Sequence, residues 1–220
     1  MLCEAILSYK DYKIKTKNMN KDIVLANYQQ EPIDVKGRLY SHIKTYTDIP
    51  RDSKGNNLFK YILNYTDTAD TGSDYLCSIC YGMYESTYYI LDVLYTKEPM
   101  EVTEPATAQM LTNNNVGNAL IESNNGGFSR NVIRELKALG NTHTKIQWFF
   151  QSKNKTSRIL SNSTGVMQNV LFPVNWEDRW PDFAEAIRKY QKEGKNAHDD
   201  APDALTGVYE NDKPKGTWLV

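Results

Sequence analysis

The amino-acid sequence predicts an α/β fold in which helices cover both faces of a mixed β-sheet. Three apolar runs, 60–67, 75–84 and 88–95, follow one another with short links, and this spacing is typical of an antiparallel meander. After residue 100, helical and extended patterns alternate, which favours parallel strands joined by helices. Together the two patterns predict one sheet that contains both antiparallel and parallel strand pairs.

Local signals define the individual elements. A helix is predicted over 103–114, where Pro105 fits the first turn. A second helix, 128–139, ends at Gly140. Apolar side chains recur at helical spacing over 177–193. The remaining predicted elements are strands at 118–122, 145–150 and 168–172, a helix at 155–163, and a last helix through Ala204, Leu205 and Val208.

Length and composition indicate one good-sized globular domain without a membrane span. The 220 residues are 40% hydrophobic and include 15 tyrosines, enough for a packed core. Lysines and arginines number 26 against 27 aspartates and glutamates, so the chain lacks the basic excess of a stand-alone nucleic-acid binder. A protein with a basic groove beside an acidic site would have the same near-zero net charge, so this charge does not exclude DNA binding. No apolar run approaches the roughly 20 residues of a membrane span.

The three cysteines predict free thiols in a reducing, intracellular setting, because an odd number does not complete a disulfide framework. Cys77 and Cys80 form a single Cys-x-x-Cys pair, whereas a zinc site needs a second pair or nearby histidines. On a strand, residues three apart point to opposite faces. We therefore expect two buried thiols on opposite sides of the second strand.

The composition divides the chain into three segments. Residues 1–55 are polar and show no sustained periodicity, so they are predicted to be a connector or N-terminal extension. Within them, 22–31 is a short predicted helix that stops before Pro32. Residues 56–212 carry the dense pattern of strands and helices, and 213–220 form a tail.

Carboxylates converge on one edge of the predicted sheet. Asp67 and Glu122 each end a strand, and in open α/β sheets sites form beyond the carboxyl ends of strands. Asp199, Asp200 and Asp203 open the last helix. One acid there would be an ordinary cap, but three repel one another unless a cation with oxygen ligands offsets them. Acids from several elements that hold two Mg²⁺ or Mn²⁺ ions are the arrangement used for phosphodiester hydrolysis.

Four motifs resemble the nuclease domain of the phage terminase large subunit, the DNA-packaging protein of tailed bacteriophages. They are Tyr65-Thr-Asp67-Thr-Ala-Asp-Thr-Gly-Ser-Asp74, Ile121-Glu-Ser-Asn-Asn-Gly-Gly127, Asn154-Lys-Thr-Ser-Arg-Ile159 and His198-Asp-Asp-Ala-Pro-Asp-Ala-Leu205. Their order and separation are similar to those of the family over about 60–210. The resemblance implies a ribonuclease H-like fold, which agrees with the order of elements above.

By this resemblance, Asp67 and Glu122 are catalytic, metal-bridging acids, and a third lies in the last motif. Asp200 is the expected main ligand, followed by Asp203, which helical geometry places on the same face three residues later. The family varies at these positions, so the identity of the third ligand stays open among the three aspartates of the motif. Asp199 is expected to cap the helix.

Three further side chains are auxiliary candidates. Asp70 and Asp74 lie in the loop after the first meander strand, where acids commonly serve only in turns. His198 precedes the acidic run. It would position a phosphate, and the alternative is a structural, hydrogen-bonded histidine.

A basic run and a glycine turn are the candidate DNA contacts. Lys153, Lys155 and Arg158 surround a predicted helix start and suit phosphate contact, a role that the resemblance favours over simple surface solvation. The turn before the helix at 128–139 would offer backbone N–H groups to a phosphate, or would merely reverse the chain. The residues of this turn are Asn124, Asn125, Gly126 and Gly127.

The resemblance implies a metal-dependent endonuclease that cuts concatemeric viral DNA during genome packaging, with Mg²⁺ or Mn²⁺ in a two-metal site. Implied partners are double-stranded DNA, the packaging ATPase domain, the small terminase subunit and the portal, in the cytoplasm of a bacterial host. The sequence has no Gly-x-x-x-x-Gly-Lys-Ser/Thr phosphate loop, so ATPase activity is not expected of it. Two alternatives stay open: another ribonuclease H-like nuclease of the resolvase or transposase type, and a catalytically silent packaging or assembly module.

Overall fold

The computed structural model describes residues 13, 37–68, 74–123, 126–152 and 154–211. In this part of the chain the backbone forms a seven-stranded mixed sheet with helices packed around it. The predicted helix at 22–31 and the tail at 213–220 lie outside the described residues. No described helix has both the length and the apolar character needed to cross a membrane.

The strands confirm the predicted mixed sheet. In chain order they are β1 (Lys44–Tyr46), β2 (Tyr61–Asp67), β3 (Leu76–Tyr84), β4 (Thr87–Thr96), β5 (Asn118–Glu122), β6 (Lys145–Phe149) and β7 (Val170–Pro173). They lie in the order β1-β7-β4-β3-β2-β5-β6. The predicted antiparallel meander is β2-β3-β4. On one side of the meander, β5 pairs parallel with β2, and β6 pairs parallel with β5. On the other side, β7 pairs parallel with β4, and β1 pairs parallel with β7.

Helices cover both faces of the sheet, as predicted. They are α1 (Met100–Asn113), α2 (Gly127–Ala138), α3 (Lys155–Asn169), α4 (Trp176–Arg179), α5 (Pro181–Lys189) and α6 (Asp200–Glu210). One buried cluster contains Ile159 of α3, Phe183 of α5 and Leu205 of α6. A second contains Leu111 of α1 and Val132 of α2. Consequently α3 and α6 share one face of the sheet, and they pack against each other there.

Two helices differ from their predicted ends. The first begins at Met100, with Pro99 at its N-cap, so Pro105 lies inside it rather than in its first turn. The third continues to Asn169 instead of ending at 163. Its later residues include the buried Val166, which continues the apolar face that the helix presents to the sheet.

The region predicted as one helix over 177–193 forms two. Pro181 begins α5 and restricts the residue before it to an extended backbone, so Trp180 adopts φ −133° and ψ 67° and separates the two helices. The second of them, α5, ends at Lys189. The apolar spacing was correct, but the proline decides where the helix starts.

Parts of the stretch 37–55 pack onto the sheet, although most of its side chains are exposed. Leu39 and Tyr40 are buried in the same cluster as α3 and α6. The strand β1 pairs parallel with β7, and the sequence pattern did not predict it because only three residues pair.

Cys77 and Cys80 are free and fully buried, as predicted. Cys77 belongs to the cluster shared with α3 and α6, and Cys80 belongs to the cluster on the opposite face. Burial raises the pKa of both thiols, which makes them poor nucleophiles.

Candidate metal centre

Asp67 and Glu122 lie side by side at the carboxyl ends of two parallel strands. They are paired positions in the register of β2 and β5, and they are only 3% and 8% exposed. Thr68 ties the two strand ends together, because its backbone N–H and its Oγ1 hydroxyl both donate to the Glu122 carbonyl oxygen, at 3.3 and 2.8 Å. The two strand-end acids therefore share one edge of the sheet.

Helix α6 brings two more acids to this edge. Asp200 is its first residue, and Asp203 lies one turn later and is fully buried. The backbone N–H of Tyr75 donates to Asp200 Oδ2 at 3.2 Å, which holds the helix start against the beginning of β3. Asp199 occupies the N-cap position, but its side chain makes no capping hydrogen bond.

The ammonium group of Lys155 lies among these carboxylates. Its Nζ is 3.0 Å from Asp67 Oδ2, 3.6 Å from Asp203 Oδ2 and 4.0 Å from Asp200 Oδ1. The residue opens α3, whose start is capped by the side chain of Asn154. The expected DNA contact is therefore a counter-ion of the acids in this structure. Because both α6 acids lie within 4.0 Å of the same ammonium group, their carboxylates face the same way.

Arg158 is a second internal cation. Its side chain is only 2% exposed. The guanidinium lies 2.6 Å from Asp203 Oδ1, 3.6 Å from Glu122 Oε2 and 3.5 Å from Glu210 Oε2. In this arrangement the predicted DNA contact Arg158 is enclosed by acids, and a phosphate would reach it only if the guanidinium left them.

Burial makes ionisation of these acids energetically unfavourable, even with the two cations beside them. Desolvation raises the pKa of Asp67 well above its usual value, and the charge of Lys155 opposes this only in part. Desolvation also raises the pKa of Asp203 to about 6, against the charges of Arg158 and Lys155. Because a desolvated carboxylate resists ionisation, a further cation would stabilise the charged form of the site.

The donor atoms of the cluster suit a hard divalent ion. Carboxylate oxygens are the ligands that Mg²⁺ and Mn²⁺ prefer, and both oxygens of Asp203 are buried without accepting a hydrogen bond of normal geometry. With the Lys155 ammonium placed between them, however, no three His, Cys, Asp or Glu side chains within the described ranges are close enough together to enclose a metal ion. The donor atoms suit such an ion, and the Lys155 ammonium lies among the same donors.

The other predicted residues lie around this cluster or outside the described part. Asp74 is half-buried, and its charge acts on the carboxylate of Asp200. His198 is exposed, and its ring makes an edge contact with Tyr75 at 5.0 Å between centroids. Asp70, Asn124, Asn125 and Lys153 lie outside the described residues.

Gly126 makes the turn before α2. Its φ is +66°, a left-handed conformation that favours glycine, and the ring of Trp148 fills the space that a side chain would need. Its N–H donates to Ser123 Oγ at 3.3 Å. Of the two roles predicted for this glycine, the structure supports the turn, because its N–H already has a partner.

Two residues that the sequence did not single out complete the site. The Tyr65 hydroxyl donates to Glu122 Oε2 at 2.6 Å, and Glu210 pairs with Arg158. Tyr65 precedes Asp67 by two residues, so strand alternation places both on one face. Glu210 follows Asp203 by seven residues, about two helical turns. Both spacings are visible in the sequence, but no motif there links Tyr65 or Glu210 to the acids.

Residues 66–170 match the family model described as the ribonuclease H-like domain of the bacteriophage T7 terminase. Over this segment the sequence is similar to terminase ribonuclease H-like domains. It includes Asp67, Glu122 and both internal cations, while the acids of α6 follow the matched range. No curated protein matches the sequence.

Solved terminase structures share the fold. The large terminase nuclease domain of bacteriophage SPP1, solved with bound Mn, is 14% identical in sequence, with a TM-score of 0.51. The match covers 79% of this chain and 98% of that chain. The large terminase of a thermophilic bacteriophage, in complex with ATP-gamma-S, is 12% identical with a TM-score of 0.52, over 79% of this chain and 44% of that chain. The chain therefore has the fold of a terminase nuclease domain and spans less than half of the thermophilic phage protein.

Proposed function

We propose that this chain is a metal-dependent endonuclease domain of a terminase large subunit, which cuts concatemeric viral DNA during genome packaging. The observation that carries the proposal is the meeting of four buried acids, Asp67, Glu122, Asp200 and Asp203, at the edge of the sheet where strand-end sites form. The match of residues 66–170 to the terminase ribonuclease H-like domain supports the same conclusion.

Mg²⁺ or Mn²⁺ is the proposed cofactor, in a two-metal site. Asp67, Glu122 and Asp200 would hold the ions, with Asp203 as a fourth ligand. The ions would activate water and stabilise the leaving oxygen of the phosphodiester. Lys155 is the group that must give way, because its ammonium stands between the donors at 3.0 to 4.0 Å. Its long, flexible side chain is 35% exposed, so it can swing outwards.

Lys155 is also the proposed DNA contact at the rim of the site. An ammonium group released from the acids would be free to meet a phosphate oxygen of the bound strand. Lys153 and Asn124 remain proposed contacts on the same sequence grounds as before. The proposed partners are double-stranded DNA, the packaging ATPase domain, the small terminase subunit and the portal, inside the bacterial host cell.

The test is plasmid cleavage by the whole chain in Mn²⁺. We expect supercoiled DNA to be nicked and linearised, EDTA to stop the reaction, and Asp67→Asn to reduce the rate by at least about a thousandfold, because a proposed metal ligand is lost. Asp48→Asn, at an exposed aspartate, is the matched control and should cleave normally. Retained cleavage by a folded Asp67→Asn protein would overturn the assignment.

A catalytically silent packaging module is the second candidate, and one observation favours it. Lys155 and Arg158 already pair with the acids, so the cluster needs no metal to be partly neutralised. Calorimetric titration with Mn²⁺ separates the two candidates. The nuclease requires Mn²⁺ binding that is lost in Asp67→Asn, whereas the silent module predicts no binding or binding that ignores this substitution. No feature of the site favours a resolvase-type nuclease over a terminase.

A further inference from the structure

The hydroxyl group of Tyr65 and the guanidinium of Arg158 approach the same oxygen of Glu122. The Tyr65 hydroxyl donates to Oε2 at 2.6 Å, and an Arg158 nitrogen lies 3.6 Å from that atom. Both side chains are buried: Tyr65 is 0% exposed and the Arg158 side chain 2%. Neither can touch DNA in this arrangement, so a different role must explain two buried polar groups aimed at one carboxylate oxygen.

Tyr65 can only act as a donor to Glu122. Its hydroxyl lies 2.6 Å from Glu122 Oε2, and a carboxylate oxygen only accepts. The ring is held by packing on both sides, with Phe149 at 6.2 Å between centroids and Gly207 of α6. A side chain at Gly207 would overlap the tyrosine ring, so the glycine allows the ring to lie directly against the acid-bearing helix.

Arg158, on α3, contacts acids of both β5 and α6. Besides Glu122, it contacts the Asp203 carboxylate at 2.6 Å and donates to the Asp203 carbonyl oxygen at 3.1 Å. On its other side it reaches Glu210 at 3.5 Å, and the amide of Asn162 donates to the same glutamate at 3.0 Å. One guanidinium therefore connects β5 and both ends of α6 to α3.

The two cations of the site thus differ in kind. Lys155 is partly exposed and reaches the acids from the rim through a flexible chain, whereas Arg158 is enclosed and bridges several acids with a planar group. A metal ion can displace the first without opening the fold. It cannot displace the second, because the guanidinium would have to leave a buried network.

We propose that Tyr65 and Arg158 are positioning residues, which hold the carboxylates of Glu122 and Asp203 in the orientation that receives the metal. The proposal rests on the proposed metal-dependent function and adds residues that act on its ligands from behind. Tyr65 fixes the rotamer of Glu122 through one oxygen. Arg158 keeps β5 and α6 at a fixed separation. Removal of such outer contacts typically lowers metal affinity by about 10- to 100-fold.

The decisive experiment compares two tyrosine-to-phenylalanine variants of the whole chain. Tyr65→Phe removes the donor to Glu122 without changing charge. Tyr81→Phe is the matched control. Tyr81 is 1% exposed in the adjacent strand, and its hydroxyl donates to a backbone carbonyl oxygen, that of Asn211 at 3.1 Å, instead of to an acid. Mn²⁺ affinity is measured by calorimetry, and thermal unfolding is measured in EDTA.

Both variants should lose stability in EDTA, because each loses a tyrosine hydrogen bond, and Tyr65→Phe should lose more because its acceptor is a carboxylate. Only Tyr65→Phe should bind Mn²⁺ at least about tenfold more weakly, and its cleavage rate should recover towards the wild-type value as Mn²⁺ is raised to saturation. Arg158→Lys keeps the charge but loses the planar bridge, so it should weaken Mn²⁺ binding in the same direction.

The outcomes separate this inference from the function on which it rests. If the wild-type chain binds no Mn²⁺, the proposed function fails. If the wild type binds Mn²⁺ and Tyr65→Phe binds it as tightly as Tyr81→Phe does, the proposed function stands and the positioning role of Tyr65 is wrong. An Arg158→Lys protein that folds with unchanged Mn²⁺ affinity would remove Arg158 from the proposal in the same way.

Discussion

Lys155 occupies the position in which the proposed metal would have to bind. Burial opposes its charge, but Asp67 and Asp203 together raise the pKa of its ammonium above the usual value, so the lysine stays charged and offsets part of the repulsion between the acids. The same contacts require a metal to compete with it. Stability without metal and affinity for metal should therefore move in opposite directions when this side chain is changed.

Lys155→Gln tests this competition. Without metal, the variant should unfold at a lower temperature than the wild type in EDTA, because the buried acids lose a counter-charge. In Mn²⁺ it should bind the ion several-fold more tightly by calorimetry, because no ammonium has to be displaced. Lys189→Gln is the matched control: Lys189 also pairs with a carboxylate, at 2.6 Å from Glu185, but both side chains are 59% exposed. Unchanged Mn²⁺ affinity in Lys155→Gln would show that the lysine does not compete with the ion.

The site could be predicted only in part at the level of single residues. Asp67 and Glu122 ended clear strands, and the acids of the last helix lay close together in sequence, so their meeting followed from the fold class. The partners of these acids did not follow. Lys155 and Arg158 look like exposed helix-start cations in the sequence, and only the packing of α3 against α6 turns them inwards.

Among the elements, α6 depends on one close contact with the sheet. Gly207 lies in the middle of this helix, where glycine is an unfavourable residue by roughly 1 kcal/mol relative to alanine. The ring of Tyr65 fills the space beside it, so helix propensity and packing make opposite demands at this position.

Gly207→Ala should therefore destabilise the protein despite its better helix propensity. The added methyl group would meet the buried Tyr65 ring, and overpacking of this kind costs about 1–3 kcal/mol. Urea unfolding followed by circular dichroism measures the change. Ser161→Ala, at an exposed position of α3 whose hydroxyl only bonds back to its own helix, should be neutral or slightly stabilising. A Gly207→Ala protein as stable as this control would mean that α6 is not held against β2 by the contact.

The elements were predictable where local signals and tertiary packing agree. β5 was predicted at its observed ends because an apolar run stops at an acid and a turn. The third helix was predicted too short because its later residues carry few apolar side chains, and Val166 is buried by the sheet rather than by a strong local pattern. β1 pairs only through its contact with β7, so no local signal marks it.

At the scale of the whole molecule, the site is assembled from segments far apart in the chain. Asp67, Glu122 and Asp200 come from two central strands and the last described helix, and residues near 37–40 close the same core. A ligand held between such segments binds the folded state alone, because the unfolded chain does not bring them together. Metal binding should therefore stabilise the entire fold and not only the loops around the site.

Mn²⁺ should accordingly raise the unfolding temperature of the chain in a concentration-dependent way. At a free concentration about 100 times the dissociation constant, linkage predicts about 2.7 kcal/mol of added stability, or roughly 5–10 °C for a domain of this size. Differential scanning fluorimetry at constant ionic strength measures the shift, and EDTA should reverse it. Asp67→Asn should abolish most of the shift, because it removes a ligand from one central strand while leaving the exposed acids untouched. An equal shift in that variant would place the stabilising metal elsewhere on the molecule, and an absent shift in the wild type would contradict metal binding by the folded chain.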